Sequence, residues 1–277
     1  MSELTILAIA DPEFVPRLRA LAASIAANMP SATLHAYLVN VVDPDLVESI
    51  ERAHARTEFS FVFAELDATV VRMGRDGITP YTEKAGFCVN LRGRAVLELL
   101  REGRRRVLFL DADSIIRRDL APLFPLIDSS DVVIHKRPHE KDFMGVAGGV
   151  IAVRPSAGAI EFFERAVERI DAIGNRAFFS DQLAFHQTIA ELGDRVNVAH
   201  LPKAFIDWEF DPQSYIWVGK GRRKFENAAY LEEERLYQGA PPSRRLARRR
   251  PAAAGEDACV PAGEDAGAPL GRKDRHA

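Results

Sequence analysis

The sequence predicts an α/β domain built in three layers. Three features predict it: short β-branched or aromatic runs that alternate with helical patterns, a run in which every residue from Val107 to Leu110 is apolar, and an acidic pair directly after that run. Alternating β and α elements favour a parallel sheet covered on both faces and connected by right-handed crossovers. An unbroken apolar run suits a strand buried on both faces.

Residues 4–10 read as a strand and 14–29 as a helix, with Val15, Leu18, Leu21, Ile25 and Met29 on one stripe. A second strand follows at 33–40, a second helix at 44–56 and a third strand at 59–66. A longer helix covers 83–102 and leads into the apolar run at 106–110. Beyond Asp113, segments 131–135 and 149–153 read as strands, and 155–173 as a helix with Pro155 in its first turn. The last helix runs over 180–192, with Ser180 as its N-cap and Asp181 in its first turn. Residues 1–238 thus read as a single domain. From about Gly239 the chain is rich in Ala, Pro, Gly and Arg, and Ala254-Gly255-Glu256-Asp257-Ala258 repeats at 262–266. Such a segment buries too little apolar surface to offset its ordering entropy, so 239–277 reads as a low-complexity, disordered tail. Its cluster Arg244, Arg245, Arg248, Arg249 and Arg250 reads as solvated, with contact to an anionic surface as the alternative.

The chain has 277 residues, 47% of them apolar, enough for one substantial core or two modest ones. The net charge, 37 minus 40, is −3, so no strong field favours nucleic acid or an anionic membrane. Its two cysteines, Cys88 in a helical pattern and Cys259 in the polar tail, argue against a disulfide framework and for a reducing cytoplasm. Met1-Ser2-Glu3-Leu4 lacks the start of a signal peptide, and no apolar stretch reaches the roughly 18 residues of a spanning helix. The expectation is a cytoplasmic protein, at most peripheral to the inner face of the membrane.

The chemistry centres on Val107-Leu108-Phe109-Leu110-Asp111-Ala112-Asp113. Ligands of open α/β sheets bind at the carboxyl ends of strands, where this run presents two carboxylates. Side chains two apart on an extended chain point the same way. Two hard oxygens on one side suit Mg²⁺ or Mn²⁺ completed by water and substrate phosphates. Such a metal can neutralise charge on a departing diphosphate. A pair of turn aspartates that merely closes the strand is the alternative.

This pattern resembles the nucleotide-diphospho-sugar transferases of the GT-A fold, especially bacterial relatives of glycosyltransferase family 8, over roughly residues 4–225. The resemblance implies a three-layer α/β/α sandwich with a mixed, mainly parallel sheet. It also implies transfer of a sugar from a nucleotide-diphosphate donor, with UDP-sugars the default, to an acceptor hydroxyl with retention. Asp111, Ala112 and Asp113 would meet the donor, the two acids as ligands of Mn²⁺ or Mg²⁺. The run Ile6-Leu7-Ala8-Ile9-Ala10-Asp11 matches the strand whose end meets the nucleoside base, which puts Ala8, Ala10 and Asp11 there; Asp11 could equally cap a helix.

The helix before the acidic pair brings a basic residue to the nucleotide in this family. Here Lys84, Cys88, Arg92, Val96 and Leu100 share one helical row, beside Phe87, Leu91, Ala95 and Leu99. A charge in an apolar stripe needs a partner, and a diphosphate or a motif aspartate would serve Lys84 or Arg92, unless the stem snorkels to water. Arg94 lies off the stripe and reads as exposed. Val146-Ala147-Gly148-Gly149 matches a small-residue turn beside the donor sugar, with Val146 where relatives often carry Asn; glycine lets backbone approach a ligand closely. Phe179-Ser180-Asp181-Gln182 matches an Asp-Gln pair that opens a helix, so Asp181 and Gln182 are the candidate catalytic residues. The family's His-x-x-Gly-x-x-Lys corresponds to Val218-Gly219-Lys220-Gly221-Arg222-Arg223-Lys224. Gly219, Lys220, Gly221 and Lys224 suit a diphosphate, but valine cannot replace the metal-binding histidine.

Two other functions compete. A haloacid-dehalogenase-type phosphohydrolase also carries Asp-x-Asp after an apolar strand, but its motif opens the domain, whereas three β/α units precede Asp111. A catalytically inactive sugar-nucleotide binder is supported by Val218. No Gly-x-Gly-x-x-Gly follows the first strand, and neither a Walker A loop nor a zinc-spaced Cys/His set is present. The acceptor, whether glycan, lipid-linked or protein, is not specified by the sequence.

Overall fold

A computed structural model describes residues 4–67, 69, 71–74, 80–137, 144–173 and 177–239. The tail from 240 onward, with its arginine cluster, repeat and Cys259, lies outside the described residues. The elements run β1 (Thr5–Ala10), α1 (Val15–Asn28), β2 (Thr33–Val39), α2 (Pro44–Ala53), β3 (Thr57–Val62), β4 (Val71–Met73), β5 (Pro80–Thr82) and α3 (Glu83–Arg101). Then come β6 (Val107–Leu110), β7 (Ser114–Ile116), α4 (Phe124–Asp128), β8 (Val132–Lys136), β9 (Val146–Val153), α5 (Ala157–Ile173) and α6 (Ser180–Leu192). The chain closes with β10 (Val198–His200), β11 (Ile216–Val218), α7 (Arg223–Glu226) and α8 (Ala228–Gly239).

Seven strands form one mixed sheet in the order β10-β8-β9-β6-β1-β2-β3. β6, β1, β2 and β3 run parallel, whereas β9 is antiparallel to both β6 and β8. Period-two alternation divides the strands between two cores. Ile6, Ala8, Leu108 and Leu110 pack with α1 residues Leu18, Leu21 and Ile25. Leu7, Ile9, Val107 and Phe109 pack on the opposite face with residues of α3, α5 and α6. Two faces, each covered by helices, give the expected three-layer α/β/α sandwich. A small antiparallel pair, β7 with β11, sits just past the acidic turn and pairs Val218 with Ser114.

Several local expectations are corrected. The third strand is Thr57–Val62 rather than 59–66, and the second helix stops at Ala53, where His54 turns extended at φ −150°. Pro155 precedes its helix rather than sitting in the first turn; the Ser156 hydroxyl accepts from the Ala159 amide at 3.1 Å. Ser180 is not an N-cap. The preceding residue, Phe179, adopts a left-handed conformation (φ 68°), and Asn90 Oδ1 accepts from the Asp181 amide at 3.0 Å, doing from α3 what a local cap does elsewhere. Val146–Gly149 is not a turn before a strand but the first half of β9. α8 had no counterpart among the expected elements.

Candidate active site

The carboxyl ends of β1 and β6 open into a cleft of about 360 Å³. The acidic turn sits at its centre. The Asp111 amide donates to the Gly149 carbonyl (3.0 Å), and the Ser114 amide to the Asp111 carbonyl (2.9 Å). The two acids are therefore presented by a tight turn rather than by extended chain. Their surroundings differ. The Asp111 side chain is 34% exposed, with Arg92 Nη2 at 3.5 Å. Asp113 is buried, and Lys224 Nζ donates to its Oδ2 at 2.6 Å. Burial, reinforced by the Asp111 carboxylate, pushes the Asp113 carboxyl above its ordinary range despite the Lys224 ammonium. The Asp113 carbonyl accepts from the Tyr230 hydroxyl (2.6 Å) and the Gly219 amide (3.0 Å), so α8 and the loop after β11 both clamp the turn.

Arg92 is the hub of the site. Its side chain is 5% exposed and lies with its guanidinium carbon 4.9 Å from the centre of the Phe109 ring. Nε donates to the Val89 carbonyl (2.6 Å) and lies 3.2 Å from Asp181 Oδ2, while Nη1 donates to the Gly148 carbonyl. Asp181 is itself buried. Burial holds its carboxyl above the ordinary range, with Arg92 pulling the other way. Asp181 Oδ2 is buried and has no aligned hydrogen bond, with Arg92 Nε 3.2 Å away as its charged neighbour. This arrangement explains two glycines by close approach. A Cβ on Gly148 would lie 2.6 Å from Arg92 Nη1, and one on Gly149 2.7 Å from Asp111 Oδ2.

The structure gathers most of the residues singled out by sequence. Ala10, Asp11, Arg92, Asp111, Ala112, Asp113, Ala147, Gly148, Gly149, Asp181, Gln182, Gly219, Lys220, Gly221 and Lys224 all line the cleft. Ala8 does not: its side chain points into the α1-side core and is fully buried, because it lies two residues before the strand's open end. Lys84 does not line the cleft either; its Nζ is held by Asp11 at 3.2 Å and Glu13 at 2.9 Å. Asp11 combines two roles, since its Oδ1 accepts from the Glu13 and Phe14 amides at the entry to α1. Arg94 is exposed and paired with Asp171, as its helical position implies. Lining residues that the sequence did not single out include Phe14, Arg137, Phe178 and Trp208. Cys88 also lines the cleft, and burial pushes its thiol up to about 12, so it is neutral at ordinary pH and no thiolate nucleophile. Among the described residues no helix is long and apolar enough to cross a membrane.

Asp111 and Asp113 are the two carboxylates of the acidic turn that could hold a divalent cation. Among the described residues no group of three or more His, Cys, Asp or Glu side chains converges. Val218, at the position of the family histidine, lies against Gly149 and is buried. Two carboxylates at a cleft still match the way Mg²⁺ is ordinarily held, with substrate phosphates and water filling its remaining positions.

Comparison with known proteins agrees with this geometry. A family model described as nucleotide-diphospho-sugar transferase matches residues 33–229. No curated protein matches. Among solved structures, the bifunctional glycosyltransferase WbbM in its apo form superposes with a TM-score of 0.59 at 14% identity, covering 87% of this chain and 50% of that one. The glycosyltransferase GlyE of Streptococcus pneumoniae TIGR4 gives 0.59 at 13% identity, covering 88% and 62%. The galactosyltransferase LgtC, in complex with donor and acceptor sugar analogues, gives 0.52 at 16% identity, covering 84% and 95%. The chain thus spans half of WbbM and under two thirds of GlyE. At these identities the likeness shows a shared GT-A fold, consistent with the relation to glycosyltransferase family 8. The family match removes the phosphohydrolase alternative: this chain belongs to the nucleotide-diphospho-sugar transferase family.

Proposed function

We propose that the chain transfers a sugar from a UDP-sugar to an acceptor hydroxyl with retention of anomeric configuration. The observation that carries this reading is the convergence, in one cleft, of the acidic turn, Arg92, Asp181 and the 219–224 loop. The base would lie between the β1 end and α3, against Ala10, Asp11 and Phe14. Asp111 and Asp113 would hold Mn²⁺ or Mg²⁺ together with the donor diphosphate. When bound, that ion supplies charge neutralisation to the leaving group. Lys224, already 2.6 Å from Asp113, and Lys220 add cationic charge on the same side. Preorganised charge aimed at a leaving group is usually the largest catalytic contribution.

The donor sugar would face Gly148 and Asp181, which line the cleft. Arg92 acts as a positioning residue: its contacts to Asp111, Asp181 and Gly148 leave it oriented away from direct phosphate work. Among the described residues none stands ready as a strong general base, because Asp181 is already paired with Arg92. The acceptor oxygen attacks the anomeric carbon as the bond to the diphosphate oxygen breaks, and the acceptor proton passes to the departing phosphate.

Mass spectrometry of products from a panel of nucleotide sugars, with a donor-hydrolysis assay, tests this. A mass gain of one hexose unit from a UDP donor, lost in Asp111→Ala, supports it. Donor binding without turnover or hydrolysis under any condition would instead support an inactive sugar-nucleotide binder, the reading Val218 favours.

A further inference from the structure

Phe179 is bulky and left-handed, at φ 68°. Such positions are ordinarily filled by glycine or asparagine, because a Cβ there crowds the following carbonyl. The chain keeps a phenylalanine in that conformation directly before α6, where it lines the cleft. Strain of this kind persists only where surrounding contacts over-determine the backbone.

The over-determining contact comes from Asn90, which is buried in α3 and is not itself a lining residue of the cleft. Its Nδ2 donates to the Ala177 carbonyl at 2.8 Å, and its Oδ1 accepts from the Asp181 amide at 3.0 Å. One side-chain amide thus grips the chain two residues before and two residues after Phe179. Its donor and acceptor belong to the same planar group, so both bonds hold only while the chain turns back between Ala177 and Asp181. The Phe178 ring adds a second tie, stacking on Tyr81, just before α3, with 5.5 Å between ring centres.

Two residues along α3 from Asn90, Arg92 Nε lies 3.2 Å from Asp181 Oδ2. α3 therefore holds Asp181 twice, by its main chain through Asn90 and by its carboxylate through Arg92. Were Phe179 to relax into the right-handed region, the backbone that carries Asp181 would rotate against α3, and the Phe179 ring would leave its place in the cleft wall.

We propose that Asn90 is a positioning residue for sugar transfer: by clamping Ala177 and Asp181 it keeps Phe179 left-handed, and so sets Asp181 and the Phe179 ring against the donor sugar. This rests on the donor reading above and deepens it by naming a residue outside the cleft that fixes the geometry at its sugar end.

The test compares Asn90→Ala with wild type on the full chain with Mn²⁺, at a temperature where circular dichroism shows both folded. Calorimetry gives UDP affinity. Donor hydrolysis gives kcat, with whichever of UDP-glucose, UDP-galactose and UDP-N-acetylglucosamine the wild type turns over fastest. Asn90→Ala is expected to lower kcat about tenfold or more, the effect of a misplaced site group, while UDP affinity stays within about twofold. A purely structural role would not separate the two readouts. The same pair is then compared in a Phe179→Asn background, since asparagine tolerates the left-handed region unaided. There, removing Asn90 is expected to cost less than about threefold in kcat, a coupling that marks the two residues as one device. Phe179→Gly supplies the background should Phe179→Asn fail to fold. Unchanged kcat in Asn90→Ala overturns the proposal. So does a loss of UDP affinity parallel to that of kcat, or an equal loss of kcat in both backgrounds. Turnover of none of the three donors by wild type is a separate outcome: it removes the donor reading and the positioning role with it.

Discussion

Replacing Arg92 with methionine tests the hub of the site without shortening the side chain. The substitution removes hydrogen bonds to the Val89 and Gly148 carbonyls and the cation 3.2 Å from the buried Asp181 carboxylate. Breaking a buried ion pair on one side costs about 3–5 kcal/mol, because the remaining charge is left uncompensated. The Asp111 contact, 3.5 Å away and partly exposed, adds little. Urea denaturation at pH 7 should therefore show Arg92→Met less stable by about 3–5 kcal/mol. The deficit should depend on pH in a defined direction. Burial already raises the Asp181 carboxyl above its unfolded value, and loss of Arg92 raises it further. A carboxyl with a raised folded pKa loses stability as pH rises through that value, so the deficit should shrink as pH falls and Asp181 protonates. Adding Asp181→Asn should recover part of the loss, giving a coupling of about 1–3 kcal/mol in a double-mutant cycle. A loss under about 1 kcal/mol, or strict additivity with Asp181→Asn, would show that Arg92 is not the buried counter-charge described here.

Other substitutions probe neighbouring contacts. Gly149→Ala places a Cβ 2.7 Å from Asp111 Oδ2 and should lower kcat/KM about tenfold or more, the effect of misplacing a site group. Its melting temperature should stay near wild type; unchanged turnover would count against the role of Asp111. Tyr230→Phe removes the 2.6 Å bond to the Asp113 carbonyl and should cost about 1–3 kcal/mol in urea denaturation. Lys224→Gln leaves buried Asp113 without its ammonium, so isothermal titration should show weaker UDP binding, and Asp113→Asn in the same chain should restore stability rather than binding. An Asp113→Asn effect absent from both readouts would contradict that pairing.

The sheet and the acidic turn were legible because their signals are local. Val107–Leu110 reads as apolar without interruption since it is covered on both faces, and the two aspartates follow within three residues. Features set by distant contacts were not legible. Ser180 has the composition of a cap, yet Asn90, on another helix, does the capping. Gly148-Gly149 reads as a turn, yet both glycines lie in β9, where small residues admit Arg92 and Asp111. Ala8 shares a strand with Ala10, but the depth of each position along β1 separates core from cleft. Arg137, Trp208 and Tyr230 reach the site only because β8 lies beside β9 and because β11 and α8 fold back on the acidic turn. No short motif marks any of them.

In the proposed function the Asp111–Asp113 turn holds a divalent cation against the donor diphosphate. Anomalous diffraction at the manganese edge, from crystals soaked with Mn²⁺ and a UDP-sugar, tests it most directly. One peak is expected beside both carboxylates, with the diphosphate between them and Lys224. A nucleotide bound elsewhere, or bound in the cleft with no ion at those carboxylates, would contradict it.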